Sequence, residues 1–473
     1  MSIATSSGSA LDQASAAEIV AGLRAAFDEG RTKPLTWRLA QLKALRALLT
    51  ENGPALEKAL WDDLRKAPAE AQYSEIGFTV AELDDVRAHL RRWLRPQRVA
   101  VPPALLPASA KAVLEPLGVA LIIAPWNYPV QLTLGPLIGA LAAGNSVLLK
   151  PSELAPATAE VLGRLIPRYL DRRAVAVVQG GVPETTAVLA ERFDHIFYTG
   201  NGTVGRIVLE AAAKHLTPVT LELGGKSPTY VDDTVDIDAA AARIAWGRFL
   251  NAGQTCIAPD YVLATAAVQA KLGPALERAV TRYFGADPKR SPDYGRIVNP
   301  KQFDRLAGLL GAGRLVTGGE SDPSDRYLAP TVLADVPRDA PVMQQEIFGP
   351  ILPMVTVADA SDAIRHINSG DKPLALYVFT NDSRARRRFT TETSSGALGF
   401  GIPLAHISVH GLPFGGVGPS GMGAYHGRRS VEAFSHEKAV LTKPLAPDTI
   451  RLVTPPYTPA RENLIRRVLG KIS

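Results

Sequence analysis

The chain has 473 residues, 46% hydrophobic and 21% charged, a composition ordinary for a folded, water-soluble protein with length for about two to four domains. Its formal net charge is only +6, from 52 basic and 46 acidic residues, and no aromatic-interleaved basic stripe points to nucleic acid. The single cysteine, Cys256, excludes an intrachain disulfide framework and any multi-cysteine metal site, and fits a reducing compartment.

Residues 1–10 are Ser/Ala-rich without a basic segment leading into an apolar core, so no secretory signal is read there. The longest apolar stretches, around 118–125 and 136–143, are too short to span a bilayer. A cytoplasmic protein with no membrane span is expected.

Helices come first. Ser15 and Glu18 read as a capping box for a helix with Ile19, Leu23 and Phe27 on one face, stopped by Gly30. Leu35, Leu39, Leu42 and Leu49 line a second helix that the spacing ends at Gly53-Pro54. Ile76, Val80, Leu83, Leu90 and Leu94 mark a third, ending before Pro96. Residues 98–117, rich in proline and poor in charge, read as an arm. Apolar strands then alternate with helical stretches: 119–124, 146–150, 174–179, 195–199 and 218–222. Repeated βα units with continuous apolar strands predict an α/β fold, a parallel sheet covered on both faces that binds ligands beyond its carboxyl ends.

After Cys256 the alternation continues less regularly to about residue 422, enough for a second α/β domain. Phe434 to Leu441 reads as a strand, followed by a proline-rich tail and a last helix after Thr458-Pro459. The predicted organisation is N-terminal helices over 1–97, an arm over 98–117, βα units over 118–222, a second α/β domain over 223–423 and a strand and tail over 424–473.

Chemistry concentrates between Glu222 and Cys256. Leu221-Glu222-Leu223-Gly224-Gly225-Lys226-Ser227-Pro228 ends a strand in a carboxylate beside two glycines. Gly253-Gln254-Thr255-Cys256 sets the thiol in a small-residue turn. A thiolate attacks carbonyl carbon and a carboxylate activates the water that follows. A lone cysteine is more often an inert buried residue, so the surrounding motifs have to decide. Gly200-Asn201-Gly202-Thr203-Val204-Gly205 follows a strand and opens a helix, a pattern suited to a dinucleotide phosphate. It leaves Glu222, 17 positions on, with two readings: ribose acid of an ordinary Rossmann site, or base for Cys256. Asn127 in Pro125-Trp126-Asn127-Tyr128-Pro129 can aim an amide N–H at an oxyanion. Lys150-Pro151-Ser152-Glu153 offers a cation and a carboxylate to ribose hydroxyls, and Glu346-Ile347-Phe348-Gly349-Pro350 a carboxylate and an aromatic ring.

Taken in order, and with Pro413-Phe414-Gly415-Gly416-Val417-Gly418, these motifs resemble the aldehyde dehydrogenase superfamily over about residues 20–465. Ala245-Trp246-Gly247-Arg248-Phe249 and Gly421-Met422-Gly423-Ala424-Tyr425-His426-Gly427 are similar to its class 3 branch, which acts on fatty and aromatic aldehydes and is commonly dimeric. The resemblance implies an NAD- or NADP-dependent enzyme in which 1–97 and 118–222 form a Rossmann-like NAD-binding domain and 223–423 the catalytic domain. Residues 98–117 and 424–473 would be the oligomerisation arm, strand and tail of a homodimer. Cys256 would attack the aldehyde. Asn127 and the Cys256 N–H would hold the oxyanion, and Glu222 would deprotonate the hydrolytic water. Lys150 and Glu153 would contact the adenosine ribose, Gly200, Asn201 and Gly205 the pyrophosphate, and Leu223 and Gly224 the nicotinamide. Glu346 would bind the nicotinamide ribose, with Phe348 and Trp126 beside the cofactor, and no metal is needed. On this resemblance Glu222 is the base.

Where relatives carry an Asn-Asp pair near the substrate entrance, this chain has Gly399-Phe400-Gly401-Ile402. Rival readings are transfer of the acyl group to coenzyme A, which has no need of a base at Glu222; a cofactor-free thiol esterase; and a non-catalytic binding protein on the same scaffold.

Overall fold

A computed structural model describes residues 13–469. Two parallel sheets organise it. The first has six strands in the order 421–422, Val219–Glu222, His195–Thr199, Val119–Ile123, Ser146–Lys150, Val175–Val177. All are parallel except the short 421–422 edge, which runs antiparallel to Val219–Glu222 and opposes Gly421 to Glu222. The three longest of these strands are buried along their whole length, which is why they read as unbroken apolar runs. Helices Gln131–Ala143, Pro156–Tyr169, Val182–Leu189 and Gly202–Ala213 connect the strands, and the first of them is buried on every side.

The second sheet has seven strands, in the order Arg314–Thr317, Thr331–Ala334, Ile351–Thr356, Tyr261–Ala264, Pro228–Val231, Ala375–Phe379, Ala397–Phe400. Only Arg314–Thr317 is antiparallel. A third, antiparallel sheet joins Gln97–Val99, Ser109–Pro116 and Ser435–Thr442, the last pairing runs in register from Ser435 opposite Pro116 to Thr442 opposite Ser109. Most of its residues are exposed or half-buried.

Two helix boundaries differ from the expectation. Ser15 lies inside the helix described from Gln13 to Asp28, so it is not the cap residue. Gly53-Pro54 ends one helix, Leu35–Glu51, but also opens the next, Gly53–Leu64. Proline at a first helical turn costs nothing, because that N–H would lack a partner anyway. No helix among the described residues is long and apolar enough to cross a membrane.

Candidate active site

The thiol is delivered by a strained turn. Helix Ile237–Phe249 ends before three successive residues in the left-handed region: Asn251 (φ 50°), Ala252 (φ 51°) and Gly253 (φ 74°). Gly253 is required there, since a Cβ would run into the carbonyl of Gly349. Gln254 then locks the turn. Its Nε2 donates to the carbonyls of Asn251 and Arg296, both at 3.0 Å, and its Oε1 accepts from the Val298 N–H at 2.9 Å. Asn127 reaches across from the end of strand Val119–Ile123. Its Nδ2 donates to the Gln254 carbonyl at 3.0 Å, and its own carbonyl accepts from Asn251 Nδ2 at 2.8 Å. Among the described residues the second amide hydrogen of Asn127 has no acceptor.

Cys256 is half-exposed, and what it faces is a cavity of about 460 Å³. Burial, with the charges of Glu346 and Glu222 behind it, pushes the thiol up to about 12. The N–H groups of Cys256 and Ile257 pull the other way by hydrogen-bonding the sulfur. Glu222 lines the same cavity from the end of strand Val219–Glu222. It is 2% exposed, and neither carboxylate oxygen has a hydrogen-bond partner among the described residues. Burial alone lifts it well above the usual carboxylate range. A buried carboxyl with no committed partner can, in its ionised form, take a proton, the chemistry a general base supplies.

Every sequence-predicted site residue except Gly205 lines this cavity. Gly205 lies inside helix Gly202–Ala213, buried against the Leu223 side chain. Asn201 caps that helix, its Oδ1 accepting from the Val204 N–H at 3.0 Å. Lys150, 2% exposed, donates to the Pro151 carbonyl at 2.9 Å and to Glu153 Oε2 at 3.2 Å, holding Glu153 at the cavity rim. Trp126 and Phe348 meet edge to face, ring centroids 5.3 Å apart. Phe348 has φ 51°, a strained conformation for an aromatic residue. Its turn is over-determined: Arg248 bonds the Gly349 carbonyl, Arg305 the Ile347 carbonyl at 2.6 Å, and Asp260 accepts from the Ile347 N–H at 3.0 Å. Burial first, then the charge of Asp260, pushes Glu346 up to about 8.

Sequence reasoning did not single out Gln302 and Arg305, which also line the cavity and bond each other at 2.8 Å. They lie in an ordinary amphipathic helix, Pro300–Ala307, with no local motif to mark them. Nor did it find Val182 and Ile207, apolar yet 75% and 52% exposed at the outer end.

The residues present fit a dinucleotide. The cavity is lined by exposed apolar side chains that suit a flat base, by Glu153 at the rim with Lys150 buried beneath it, and by buried oxygens of Thr199, Glu222 and Glu346 that have no partner among the described residues. An elongated ligand with an apolar ring outside and hydroxyls within would satisfy both ends.

Comparison with known proteins is concordant. A family model described as "Aldehyde dehydrogenase family" matches residues 4–440. The chain is 51% identical over 437 residues to "Aldehyde dehydrogenase family 3 member B1" of Rattus norvegicus, covering 92% of this chain and 93% of that one. It is 48% identical over 431 residues to "Aldehyde dehydrogenase, dimeric NADP-preferring" of Canis lupus familiaris, covering 91% and 95%. The structure superimposes on the substrate-bound state of Staphylococcus aureus AldH with a TM-score of 0.93 and 42% identity, over 96% of this chain and 99% of that one.

Proposed function

Since the chain belongs to the aldehyde dehydrogenase family, and is an NAD(P)-dependent enzyme that oxidises aldehydes, we propose that it does so by covalent catalysis at Cys256 with Glu222 as the hydrolytic base. The observation that carries this reading is the pairing, in one cavity, of the chain's single thiol with a buried carboxyl whose two oxygens have no partner among the described residues.

Cys256 gives its proton to solvent water, and the sulfur attacks the carbonyl carbon as the C=O π pair moves onto oxygen, giving a thiohemiacetal oxyanion. The free amide hydrogen of Asn127 and the Cys256 N–H stabilise that charge as it forms. When bound, the nicotinamide cofactor supplies a hydride acceptor. Loss of hydride leaves an acyl thioester on Cys256. Glu222, ionised, takes a proton from water as the water attacks the thioester; carboxylic acid leaves and Cys256 is regenerated. Lys150 and Glu153 hold one ribose at the rim and Glu346 the other, with Gln302 and Arg305 bracing the wall between.

The substrate is an apolar aldehyde, aliphatic or aromatic. Tyr377 Oη donates to the Ile257 carbonyl at 2.7 Å and accepts from the Leu404 N–H at 3.2 Å, which seats the loop after residue 400 next to Cys256. Ile402, Val409 and Leu412 are exposed along that loop, an apolar lip. Gly401, at φ 71°, turns the chain there where an Asn-Asp pair was expected of the family. The enzyme acts as a homodimer built on the antiparallel sheet, which carries Val99 and Leu441 exposed.

The test is mass spectrometry of Glu222→Gln during turnover of benzaldehyde with NAD. An acyl mass on the peptide containing Cys256 is expected. Weakened cofactor binding with no acylated Cys256 would overturn the reading.

A further inference from the structure

Behind the Asn127 amide lies a charge pair that no motif announces. Lys66 and Glu75 are both fully buried, and the ammonium donates to Glu75 Oε1 at 2.5 Å. Such a pair adds little net stability, because desolvation offsets most of the attraction. Its remaining contacts show what else it does. Lys66 Nζ also donates to the backbone carbonyl of Asn127 at 3.1 Å and sits 4.0 Å from the centroid of the Tyr128 ring. Glu75 Oε2 accepts from the N–H groups of Val130 at 2.8 Å and Gln131 at 3.2 Å, where helix Gln131–Ala143 begins. One charge therefore grips the start of the 127–131 turn and the other grips its end. Glu75 is itself aimed by a π-helical turn, Gln72–Ile76, set between α-helical segments. Turns of that kind widen a helix and re-direct a residue, and they cluster at functional sites.

We propose that Lys66 and Glu75 are positioning residues for aldehyde oxidation, clamping the 127–131 turn so that the free amide hydrogen of Asn127 meets the oxygen of the adduct on Cys256. The inference rests on the reading of Asn127 as an oxyanion donor. Neither residue touches substrate or cofactor; both act through the backbone that carries Asn127. An oxyanion donor works only at a fixed distance and angle from the developing charge, so a small rotation of this turn lowers the rate without unfolding anything.

The experiment is a cycle of kcat values with benzaldehyde and saturating NAD in four proteins: wild type, Asn127→Ala, Lys66→Met with Glu75→Gln, and all three substitutions together. The double change removes both charges while Gln still accepts from the Val130 and Gln131 N–H groups. It is expected to lower kcat at least about tenfold, with the KM for NAD within about twofold. Added to Asn127→Ala it is expected to cost little more, because both changes disable one donor. Asn127→Ala with wild-type kcat would sink the oxyanion reading itself. A fall in Asn127→Ala, with the double change either harmless or fully multiplicative on top of it, would leave that reading standing and overturn the positioning role. If the double variant binds no NAD, Glu75→Asp carries the test: its carboxylate is kept but drawn back by one methylene, and undiminished kcat there would overturn the proposal.

Discussion

Tyr128 and Thr255 share a hydrogen bond of 2.6 Å between their hydroxyl oxygens, both buried. Each is a direct neighbour of a proposed catalytic residue, Tyr128 of Asn127 and Thr255 of Cys256. One short contact thus ties the turn after the first parallel strand to the turn that presents the thiol, and it sets the distance between nucleophile and oxyanion donor. A defect in either turn is felt by both groups.

Removing the sulfur tests the nucleophile. Cys256→Ala is expected to abolish dehydrogenase turnover while leaving the dissociation constant for NAD within about threefold, since the thiol lines the cavity without anchoring a ligand polar group. Calorimetric titration with NAD, beside a rate assay, reads both.

Glu222→Gln should separate chemistry from stability. Turnover is expected to stall after hydride transfer, as a burst of reduced cofactor followed by slow release. Stability moves the opposite way. The folded-state pKa of Glu222 is raised, so the wild type is most favoured below the unfolded carboxylate value of about 4.3 and loses stability as pH rises above it. Glutamine has no such dependence. The variant is expected to be more stable than wild type at pH 8, with the gap narrowing towards pH 5. Denaturant melts at the two pH values check the sign.

Much of this arrangement is legible in the chain itself, and what is not has a physical reason. Buried parallel strands such as His195–Thr199 and Ser146–Lys150 show as continuous apolar runs because both faces are covered. Motif residues such as Glu222, Cys256 and Glu346 could be picked because the glycines and prolines beside them mark turns. Lys66 and Glu75 could not, since a lysine in a short link between helices and a glutamate nine residues on look like solvated surface. Only long-range folding buries them under Asn127. The strain at Phe348 and Ala252 is likewise invisible, because neither residue favours a positive φ and both are held there by distant partners.

Glu346 gives a pH signature. Its carboxyl is pushed up to about 8, so in the free enzyme the ionised form, the stronger acceptor expected for a ribose hydroxyl, gains population as pH rises through that value. NAD affinity is expected to strengthen several-fold between pH 7 and 9 in wild type, and to be flat in Glu346→Gln. A pH series of fluorescence titrations decides this; a parallel slope in the variant would count against the assignment.

Glu153 is expected to bias the choice between cofactors. Held at the rim by Lys150, it sets a negative charge where a 2′-phosphate would approach. Glu153→Gln is expected to lower the KM for NADP by about three- to tenfold and to change that for NAD by less than about threefold. Steady-state kinetics with each nucleotide measures the shift.

The return of the chain at 421–422 to the edge of the first sheet has a consequence for biosynthesis. That β-sheet starts at residue 119, yet the strand bearing Glu222 lacks its outer neighbour until residue 422 has left the ribosome. Nor does helix Gln131–Ala143 gain the cover of Arg428–Ala433 until later still. The first sheet is therefore completed after the second, although most of it is translated first. A nascent chain halted short of residue 420 would leave that sheet with a bare edge.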